Sequence, residues 1–368
     1  MVDLIIKENY PLKYLTTMKI GGPARYFLEA KIAEDIKHGI QFSNEQNLPI
    51  FILSGGSNVL ISDKGFNGIV IYNKIEGFDI LNEDIGAVVL KVGAGEIWDS
   101  IVERAVKKNW WGLENMTLIP GKIGGLVVQN AGAYGCEISD VVHAVEVFDK
   151  KDGHIKFLNK KQCKFVYRDS IFKNFERRYV ILNVLIKLVK NGKPKIDYPD
   201  VRRYFEKRKI QKPNLHQVRE SIVYIRENKL PDPVKIGSAG SFFKNLVLSE
   251  ISYDELYKKM KKNCAKESVK KLEELKNRFS GDGLIKIPTA YILDVCGLKG
   301  FVENGVKVWD SQPLVLANTN NAASAQNVLN MFKKIRQAVY KKTSIQLESE
   351  VEFIGFGRQE LEEYFKLQ

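Results

Sequence analysis

Apolar and polar positions repeat with two different periods along the first part of the chain, and each period predicts a different element. Residues 25–29 read as an extended segment, whereas apolar residues recur every three or four positions across residues 32–47, as in an amphipathic helix. The continuous apolar run Ile50–Leu53 indicates a buried strand, which ends at a glycine pair before a second short run at Val59–Ile61. Residues 1–76 therefore form one region with the order strand, helix, strand.

A second region, residues 77–228, begins with an apolar strand at 86–93 and a helix near 97–108, and strands dominate as far as Val189. The third region, residues 229–345, contains a lysine-rich helix, an apolar stretch at 291–296, a strand at 314–317 and a long helix at 322–340. The tail at 346–354 reads as one more strand. Because helices and strands are mixed without a regular repeat, the pattern predicts an α+β fold.

Composition narrows the class of protein without identifying it. The chain has 368 residues, of which 44% are hydrophobic and 27% charged, as expected for two or three globular domains. No apolar run is long enough to span a membrane, and the N-terminus lacks the apolar core of a signal peptide, so we expect a cytoplasmic protein without a membrane partner. The cysteines and histidines are scattered, and their spacing predicts no metal site.

The formal net charge of +13 is compatible with nucleic acid or with an anionic small molecule as partner. Much of the excess lies on the lysine-rich helix, which Ser252 and Glu255 open as a capping box. Apolar residues at helical spacing accompany the lysines, so a solvated helix face explains them better than nucleic-acid binding does. Steering of an anionic ligand remains open.

Two glycine-rich loops can hold phosphate groups. Gly55-Gly56-Ser57-Asn58 follows a buried strand, and Gly121-Lys122-Ile123-Gly124-Gly125 forms the second loop. Successive backbone N–H groups in such loops can bind anions, and two loops suit a diphosphate cofactor. The Rossmann fingerprint fails because Trp98 replaces its last glycine, and no P-loop motif occurs.

The segment Gly237–Ser241, continued by Phe242-Phe243-Lys244-Asn245, combines flexible glycines with hydroxyl, ammonium and carboxamide groups. These donors suit phosphate or carboxylate oxygens, which favours a ligand site. The alternative is a glycine turn that leads into a buried strand, with both phenylalanines in the core. Residue types alone leave both interpretations open.

Several motifs in one order make the chain similar to a known enzyme family. They are Ser57-Asn58-Val59-Leu60, Leu113-Glu114-Asn115, Ile119-Pro120-Gly121, Gln129-Asn130-Ala131-Gly132-Ala133-Tyr134-Gly135, Tyr167-Arg168-Asp169-Ser170, Lys229-Leu230-Pro231-Asp232-Pro233, Ala239-Gly240-Ser241-Phe242-Phe243-Lys244-Asn245 and Glu348-Ser349-Glu350-Val351-Glu352-Phe353-Ile354-Gly355. Together they closely resemble the UDP-N-acetylenolpyruvoylglucosamine reductases, the flavoenzymes of peptidoglycan precursor synthesis.

The resemblance implies a two-part FAD-binding domain of the vanillyl-alcohol oxidase (PCMH) type plus an α+β substrate-binding domain. Residues 1–76 and 77–228 would be the two FAD-binding subdomains, residues 229–345 the substrate domain, and the tail 346–368 would return to the second subdomain. FAD would be the cofactor and NADPH the co-substrate. The substrate would be UDP-N-acetylenolpyruvoylglucosamine, reduced to UDP-N-acetylmuramate, by a protein expected to be a monomer.

The family pattern also assigns the chemistry. Hydride from flavin N5 would add to the enolpyruvyl double bond, Ser241 would donate the proton, and Arg168 and Glu350 would lie around the carboxylate. From residue types alone, Ser241 could be a turn hydroxyl bonded to backbone, and Arg168 could pair with Asp169. Only the family match selects Glu350 from the three alternating glutamates of the tail.

The remaining site residues come from the same match. Those expected to bind substrate are Tyr198, Arg226, Lys229, Asn245 and Gln312. Those expected to bind the cofactor are Gly55, Gly56, Ser57, Asn58, Gly121, Gly124, Gly125, Asn130, Gly132 and Ala133. Tyr204 is a rival to Tyr198 as the tyrosine that covers the substrate. The chain departs from the family at Leu246, where proline is common, and in a longer segment at 249–286.

Two other functions stay open on the sequence. A different flavin oxidoreductase of the same fold would keep the glycine loops but would not need Ser241, Lys229 and Asn245 together. A basic nucleic-acid-binding protein would be colourless and would bind RNA in a salt-sensitive manner.

Overall fold

A computed structural model describes residues 5–173, 177–281 and 283–366. In these ranges the strands are β1 (Lys7–Pro11), β2 (Pro23–Ala30), β3 (Ile50–Leu53), β4 (Val59–Ile61), β5 (Phe66–Asn73), β6 (Phe78–Glu83), β7 (Ala87–Gly93), β8 (Gly132–Ala133), β9 (Cys136–Glu137), β10 (Val142–Asp149), β11 (His154–Asn159), β12 (Tyr179–Val189), β13 (Gly237–Ser241), β14 (Leu246–Leu248), β15 (Ser280–Gly281), β16 (Leu284–Ile287), β17 (Val302–Glu303), β18 (Val306–Val308), β19 (Val315–Asn318) and β20 (Glu352–Ile354). The α-helices are α1 (Ala33–Glu45), α2 (Trp98–Lys107), α3 (Ile123–Val128), α4 (Pro199–Arg208), α5 (Leu215–Lys229), α6 (Glu250–Asn263), α7 (Lys266–Phe279), α8 (Thr289–Val295), α9 (Ala325–Thr343) and α10 (Arg358–Phe365).

The chain divides into two compact units. The first contains the chain up to Tyr10, Ala24–Gly55 and Asn67–Asn228, and the second contains Pro11–Pro23, Gly56–Phe66 and the chain from Lys229 onward. This division differs from the sequence-based boundaries, which kept residues 1–76 together and sent the tail to residues 77–228. The physical reason is that β20 pairs in parallel with β4, so the segment after the first glycine loop groups with the tail.

The first unit is built on two sheets. A four-stranded sheet has the order β1-β2-β5-β3, with β3 parallel to β5, and a five-stranded sheet has the order β11-β10-β12-β7-β6. Helix α1 buries Ile36 and Ile40 against strand residues of the smaller sheet. Helix α2 buries Trp98 and its apolar stripe in the cluster under the larger sheet. These apolar stripes, spaced at helical period, are what hold both helices in place.

The core of the second unit packs against the buried face of α9. Phe332 on this helix contacts the rings of Phe242, Phe243 and Phe353, with ring centroids 5.6–5.7 Å apart. Phe242 and Phe243 are fully buried, so both belong to the core, as one of the two interpretations of their segment proposed. The sheets here are β13-β19-β18-β17 and β14-β16-β15, with the β20-β4 pair. Among the described residues, no helix combines the length and the apolar character that crossing a membrane requires.

The lysine-rich segment differs from its predicted form. It contains two helices, α6 and α7, and the first begins at Glu250, where the hydroxyl of Ser249 accepts a hydrogen bond from the backbone N–H of Ser252 at 3.2 Å. The predicted capping box at Ser252 and Glu255 was therefore wrong. Strand β14 ends at Leu248, so the chain enters the helix at once and Ser249 is the residue in position to cap it.

Asp149, the last residue of β10, is a fully buried carboxylate. It accepts hydrogen bonds from Arg178 Nε at 2.6 Å and from Lys156 Nζ at 2.8 Å. Arg178, with help from Lys156, holds the pKa of the Asp149 carboxyl well below its usual range, although burial opposes the shift. The ionised carboxylate therefore ties β10 to the starts of β11 and β12.

We expect Asp149→Asn to lower the free energy of unfolding by about 2 kcal/mol at pH 7, because Arg178 loses its charged acceptor. A lowered folded-state pKa means that this contribution is present above about pH 4 and fades as the pH falls further. Urea unfolding at pH 7 and at pH 3 measures the difference. Asp152→Asn is the control, since Asp152 also contacts Lys156 but is partly exposed, and its loss should be much smaller. Equal losses at both pH values would contradict the assignment.

Candidate functional site

In the first unit, the two glycine loops meet where backbone crosses backbone. A Cβ atom on Gly55 would stand 2.5 Å from the Cα atom of Gly121, and one on Gly124 would stand 2.9 Å from the Cβ atom of Ala94. Gly121 itself has a φ of +115°. Glycine is therefore required at these positions by the close approach of the chain to itself, and the residue type alone is no proof of a phosphate site.

The second loop has fewer open donors than its sequence indicates. The N–H of Ile123 donates to Glu96 O at 3.0 Å, that of Gly124 to Ala94 O at 3.1 Å, and that of Gly125 to Ser54 Oγ at 3.1 Å. The expected anion nest does not form with these N–H groups, because the protein already uses them. The N–H of Gly55, by contrast, has no hydrogen-bond partner in the described part of the chain.

The residues around Arg168 serve partly to hold each other. Arg168 has a φ of +55°, and its Nη2 donates to Gly132 O at 3.1 Å, so it lies beside β8, which consists of Gly132 and Ala133. The side chain of Asn130 is buried and bound by the protein: Nδ2 donates to Glu137 Oε2 at 2.8 Å and Oδ1 accepts from a backbone N–H. Arg168 and Gly132, which were predicted for different roles, are thus in contact, while the Asn130 side chain is bound within its own loop.

Two predicted substrate residues meet at Tyr134. The ring of Tyr198 lies edge-on to that of Tyr134, with centroids 5.2 Å apart, and the Arg226 guanidinium acts electrostatically on the Tyr134 hydroxyl. Burial raises the pKa of Tyr134 to about 12, and burial also lowers the pKa of the Arg226 guanidinium. The ring of the rival Tyr204 lies under the Arg208 guanidinium at 3.7 Å and beside Tyr224.

The segment around Tyr134 is fixed by Asn115, a residue of the recognised motif that received no predicted role. Its buried Nδ2 donates to Tyr134 O and to Lys195 O, each at 2.9 Å. Asn115 thereby ties the loop that carries Tyr134 to the segment that leads to Tyr198. No local pattern in the sequence distinguishes such a buried amide from an exposed one.

In the second unit, the first loop continues through Gly56, Ser57 and Asn58. Gly56 has a φ of +60°, and a Cβ atom there would stand 1.9 Å from Leu15 O. The carbonyl of Gly56 accepts from Thr17 N at 3.1 Å, while the N–H groups of Gly56 and Ser57 bind no residue that the structure describes. These consecutive N–H groups are open donors of the kind that hold phosphate oxygens.

A backbone ladder brings Ser241 and Glu350 to neighbouring chain segments. Glu350 N donates to Phe242 O at 2.9 Å, Phe243 pairs with Ser349, and Lys244 N donates to Glu348 O at 3.0 Å. Ser241 is the residue before Phe242 and ends β13, opposite Val315. Its hydroxyl forms no hydrogen bond with any described residue, so the alternative of a turn hydroxyl bonded to backbone is not what the structure contains.

Asn58 joins the same ladder. Its Nδ2 donates to Glu350 O at 3.0 Å, and its own carbonyl accepts from Glu352 N at 3.1 Å. Of the three alternating glutamates, Glu348 is exposed and paired with Lys244 Nζ at 3.0 Å, whereas Glu350 is partly buried. The position between Asn58 and Phe242 therefore distinguishes Glu350 from Glu348.

The other predicted substrate residues of the second unit stand at element ends. Lys229 closes α5 and is partly buried. Asn245 precedes β14, and its Oδ1 accepts from Thr289 N at 3.1 Å. Gln312 lies in the turn between β18 and β19, where its carbonyl accepts from Val315 N at 2.9 Å. None of these placements was visible from local spacing.

One further residue of the first unit stands out. Lys122, inside the second glycine loop, is only 7% exposed and lies 3.9 Å from the centroid of the Tyr72 ring. Sequence reasoning gave it no role, because a lysine in a glycine loop is ordinarily solvated.

Within the described ranges, no group of three or more His, Cys, Asp and Glu stands close enough to hold a metal ion.

Comparison with known proteins identifies the family of the chain. A family model described as an FAD binding domain matches residues 24–159, and one for the C-terminal domain of UDP-N-acetylenolpyruvoylglucosamine reductase matches residues 232–354. The UDP-N-acetylenolpyruvoylglucosamine reductase of Buchnera aphidicola subsp. Baizongia pistaciae is 36% identical over 345 residues, covering 94% of this chain and 98% of the relative. The enzyme of that name from Pseudomonas aeruginosa is 32% identical over 349 residues, covering 95% and 99%.

A solved structure extends the comparison to the fold. The crystal structure of UDP-N-acetylenolpyruvylglucosamine reductase from Thermus caldophilus superimposes with a TM-score of 0.63 at 23% identity, covering 95% of this chain and 98% of that one. The predicted α+β fold, with an FAD-binding domain and the family's C-terminal domain, is confirmed. With relatives above 30% identity along nearly its whole length, the chain belongs to the UDP-N-acetylenolpyruvoylglucosamine reductase family.

Proposed function

We propose that the protein catalyses the NADPH-dependent, FAD-mediated reduction of UDP-N-acetylenolpyruvoylglucosamine to UDP-N-acetylmuramate in peptidoglycan biosynthesis. The observation that carries the proposal is the end-to-end match to reductases of that name, which spans both units. A different oxidoreductase that shared only the FAD-binding domain would not match at residues 232–354. We further propose a cytoplasmic monomer.

The residues present fit FAD. The open N–H groups of Gly56 and Ser57 suit the oxygens of a diphosphate. Gly55 has no side chain, which allows its backbone to lie close to that of Gly121. When bound, FAD supplies the redox chemistry, by accepting electrons from NADPH and delivering hydride from N5 to the enolpyruvyl double bond. In this proposal the other predicted cofactor-binding residues form the loops around the bound FAD. They are Asn58, Gly121, Gly124, Gly125, Asn130, Gly132 and Ala133.

Ser241 is the proposed proton donor. Hydride addition to the terminal carbon of the double bond leaves an electron pair on the carbon beside the carboxylate, and one proton must reach that carbon to complete the reduction. A hydroxyl that already donated to a backbone carbonyl would be poorly placed for this task. The absence of such a bond within the described chain supports Ser241, and solvent then restores its proton.

Glu350 and Arg168 are proposed to act on the carboxylate where charge develops. An arginine stabilises developing negative charge directly, and a carboxylic acid does so when it is neutral and can donate a hydrogen bond. The ladder from Asn58 to Glu350 and on to Phe242 holds Glu350 in place through its backbone. Lys229, Asn245 and Gln312 are assigned to the UDP portion, with Tyr198 and Arg226 as further substrate contacts.

The reaction itself is tested by following the flavin. We expect the purified protein to show a flavin absorption spectrum that NADPH bleaches under anaerobic conditions. Addition of UDP-N-acetylenolpyruvoylglucosamine should then restore the oxidised spectrum, because the double bond accepts the hydride. If NADPH bleaches the flavin but this compound does not restore the oxidised spectrum, the proposed substrate is excluded. A purified protein without a flavin spectrum would exclude a flavoenzyme.

Ser241→Ala tests the proton donor separately from the hydride chemistry. We expect the NADPH half-reaction to stay near the wild-type rate and the reoxidation step to slow by about 10²- to 10⁴-fold, as for loss of a general acid. Stopped-flow absorbance of the flavin measures both steps. The control is Thr319→Ala, which removes an exposed hydroxyl that donates to Gly305 O at 3.1 Å. This variant should leave both rates unchanged. Wild-type reoxidation in Ser241→Ala would remove this residue from the mechanism.

A further inference from the structure

Lys122 is a buried cation with little protein to compensate it. Its Nζ donates one hydrogen bond, to Asn73 O at 2.8 Å, and lies over the Tyr72 ring. In the described part of the chain it forms no ion pair, since the neighbouring Glu29 is paired with Lys74 at 3.1 Å. An ammonium group has three N–H donors, so a carbonyl and a ring face leave it incompletely satisfied.

Such a group is unfavourable for folding. Burial lowers the pKa of Lys122 to about 8, and the positive charge of Lys74 adds to the effect. The folded chain therefore stabilises the ammonium less than water does, although the charged form still predominates at pH 7. A methionine of similar length would fill the same space without that cost, so stability gives no reason for a lysine here.

The position of Lys122 links the glycine loop to both sheets. It stands between Gly121, which contacts Gly55, and Ile123, the first residue of α3. Its acceptor Asn73 ends β5, and the side chain of Asn73 donates to Ile181 O on β12 at 2.8 Å. One buried ammonium thus fixes the second loop at the point where the end of β5 meets β12.

We infer that Lys122 is a positioning residue for FAD: it holds the Gly121–Gly125 loop in its binding conformation and places a buried positive charge that forms no ion pair with a described residue inside the first unit, where it favours an anionic cofactor. The inference rests on the proposed function only for the identity of the cofactor. It explains why an unfavourable buried charge occurs within the residues that match the FAD binding domain. The unfavourable free energy of burying this charge can be offset when the dianionic diphosphate of FAD binds to the folded protein.

The test separates a role in binding from a role in folding. In the FAD-free full-length chain we expect Lys122→Met to unfold at a temperature no lower than wild type, because an unpaired buried charge is removed. The same variant should bind FAD at least tenfold more weakly, measured by quenching of FAD fluorescence. Lys122→Gln keeps a donor but no charge, and should also lose affinity. Lys91→Met, which removes a cation paired with Glu146 at 2.9 Å, is the charge-matched control and should bind like wild type.

The pH dependence supplies a second readout that a merely structural lysine would not give. Because the anion favours protonated Lys122, wild-type affinity for FAD should fall as the pH rises above about 8, while Lys122→Met should lack this decline. Besides Lys74, the groups next to the ammonium are Glu29 and Glu76, which favour its protonated form, and the Tyr72 ring that lies under it.

Each outcome has one meaning. Lower stability of Lys122→Met with unchanged FAD affinity, or the same pH profile in both proteins, would overturn the inference. Wild-type chain that binds no FAD at all would instead contradict the proposed function.

Discussion

The second unit depends on the pairing of two short strands that lie far apart in the chain. Val59–Ile61 pairs in parallel with Glu352–Ile354, and each residue of β4 is buried. The pairing supplies hydrogen-bond partners for backbone that is removed from water, which would otherwise be costly. It also determines which residues lie beside the two strands, because Asn58 precedes one strand and Glu350 precedes the other. A long-range contact therefore determines which polar groups become neighbours.

The same pairing continues into the candidate site. Asn58 binds the carbonyl of Glu350, and the N–H of Glu350 binds the carbonyl of Phe242. Phe242 is anchored by the core around α9, so Ser241 next to it is held by buried rings and its hydroxyl remains available. The placement of Ser241 and Glu350 thus depends on packing that neither residue provides. In the first unit, the crossing of Gly55 and Gly121 has the corresponding role for the loops.

The local elements could be predicted because each is specified by its own periodicity. Ile50–Leu53 and the helix near 97–108 were found within a residue or two, since an apolar run or stripe marks a buried face wherever it packs. The tail was predicted as a strand over 346–354, but only Glu352–Ile354 is one, because the extent of a strand is set by its partner. The start of α6 was missed for a similar reason: the end of β14 decided which serine caps it.

The site was less accessible to sequence reasoning. The glycines of the second loop are explained by backbone packing, and the N–H groups expected to bind phosphate there are used by Glu96, Ala94 and Ser54. Lys122 was overlooked because burial is a tertiary property. Ser241, Arg168 and Glu350 were predicted as site residues by resemblance alone, since hydroxyl, guanidinium and carboxylate groups in such loops are usually solvated or bonded to backbone.

The central claim is that this chain transfers electrons from NADPH to an enolpyruvyl double bond. The most direct measurement is the anaerobic stoichiometry of NADPH oxidised against UDP-N-acetylenolpyruvoylglucosamine consumed, with mass spectrometry of the product. The account predicts equal amounts and a product heavier than the substrate by two hydrogen atoms. Oxidation of NADPH that does not depend on this substrate, or a product of unchanged mass, would contradict it.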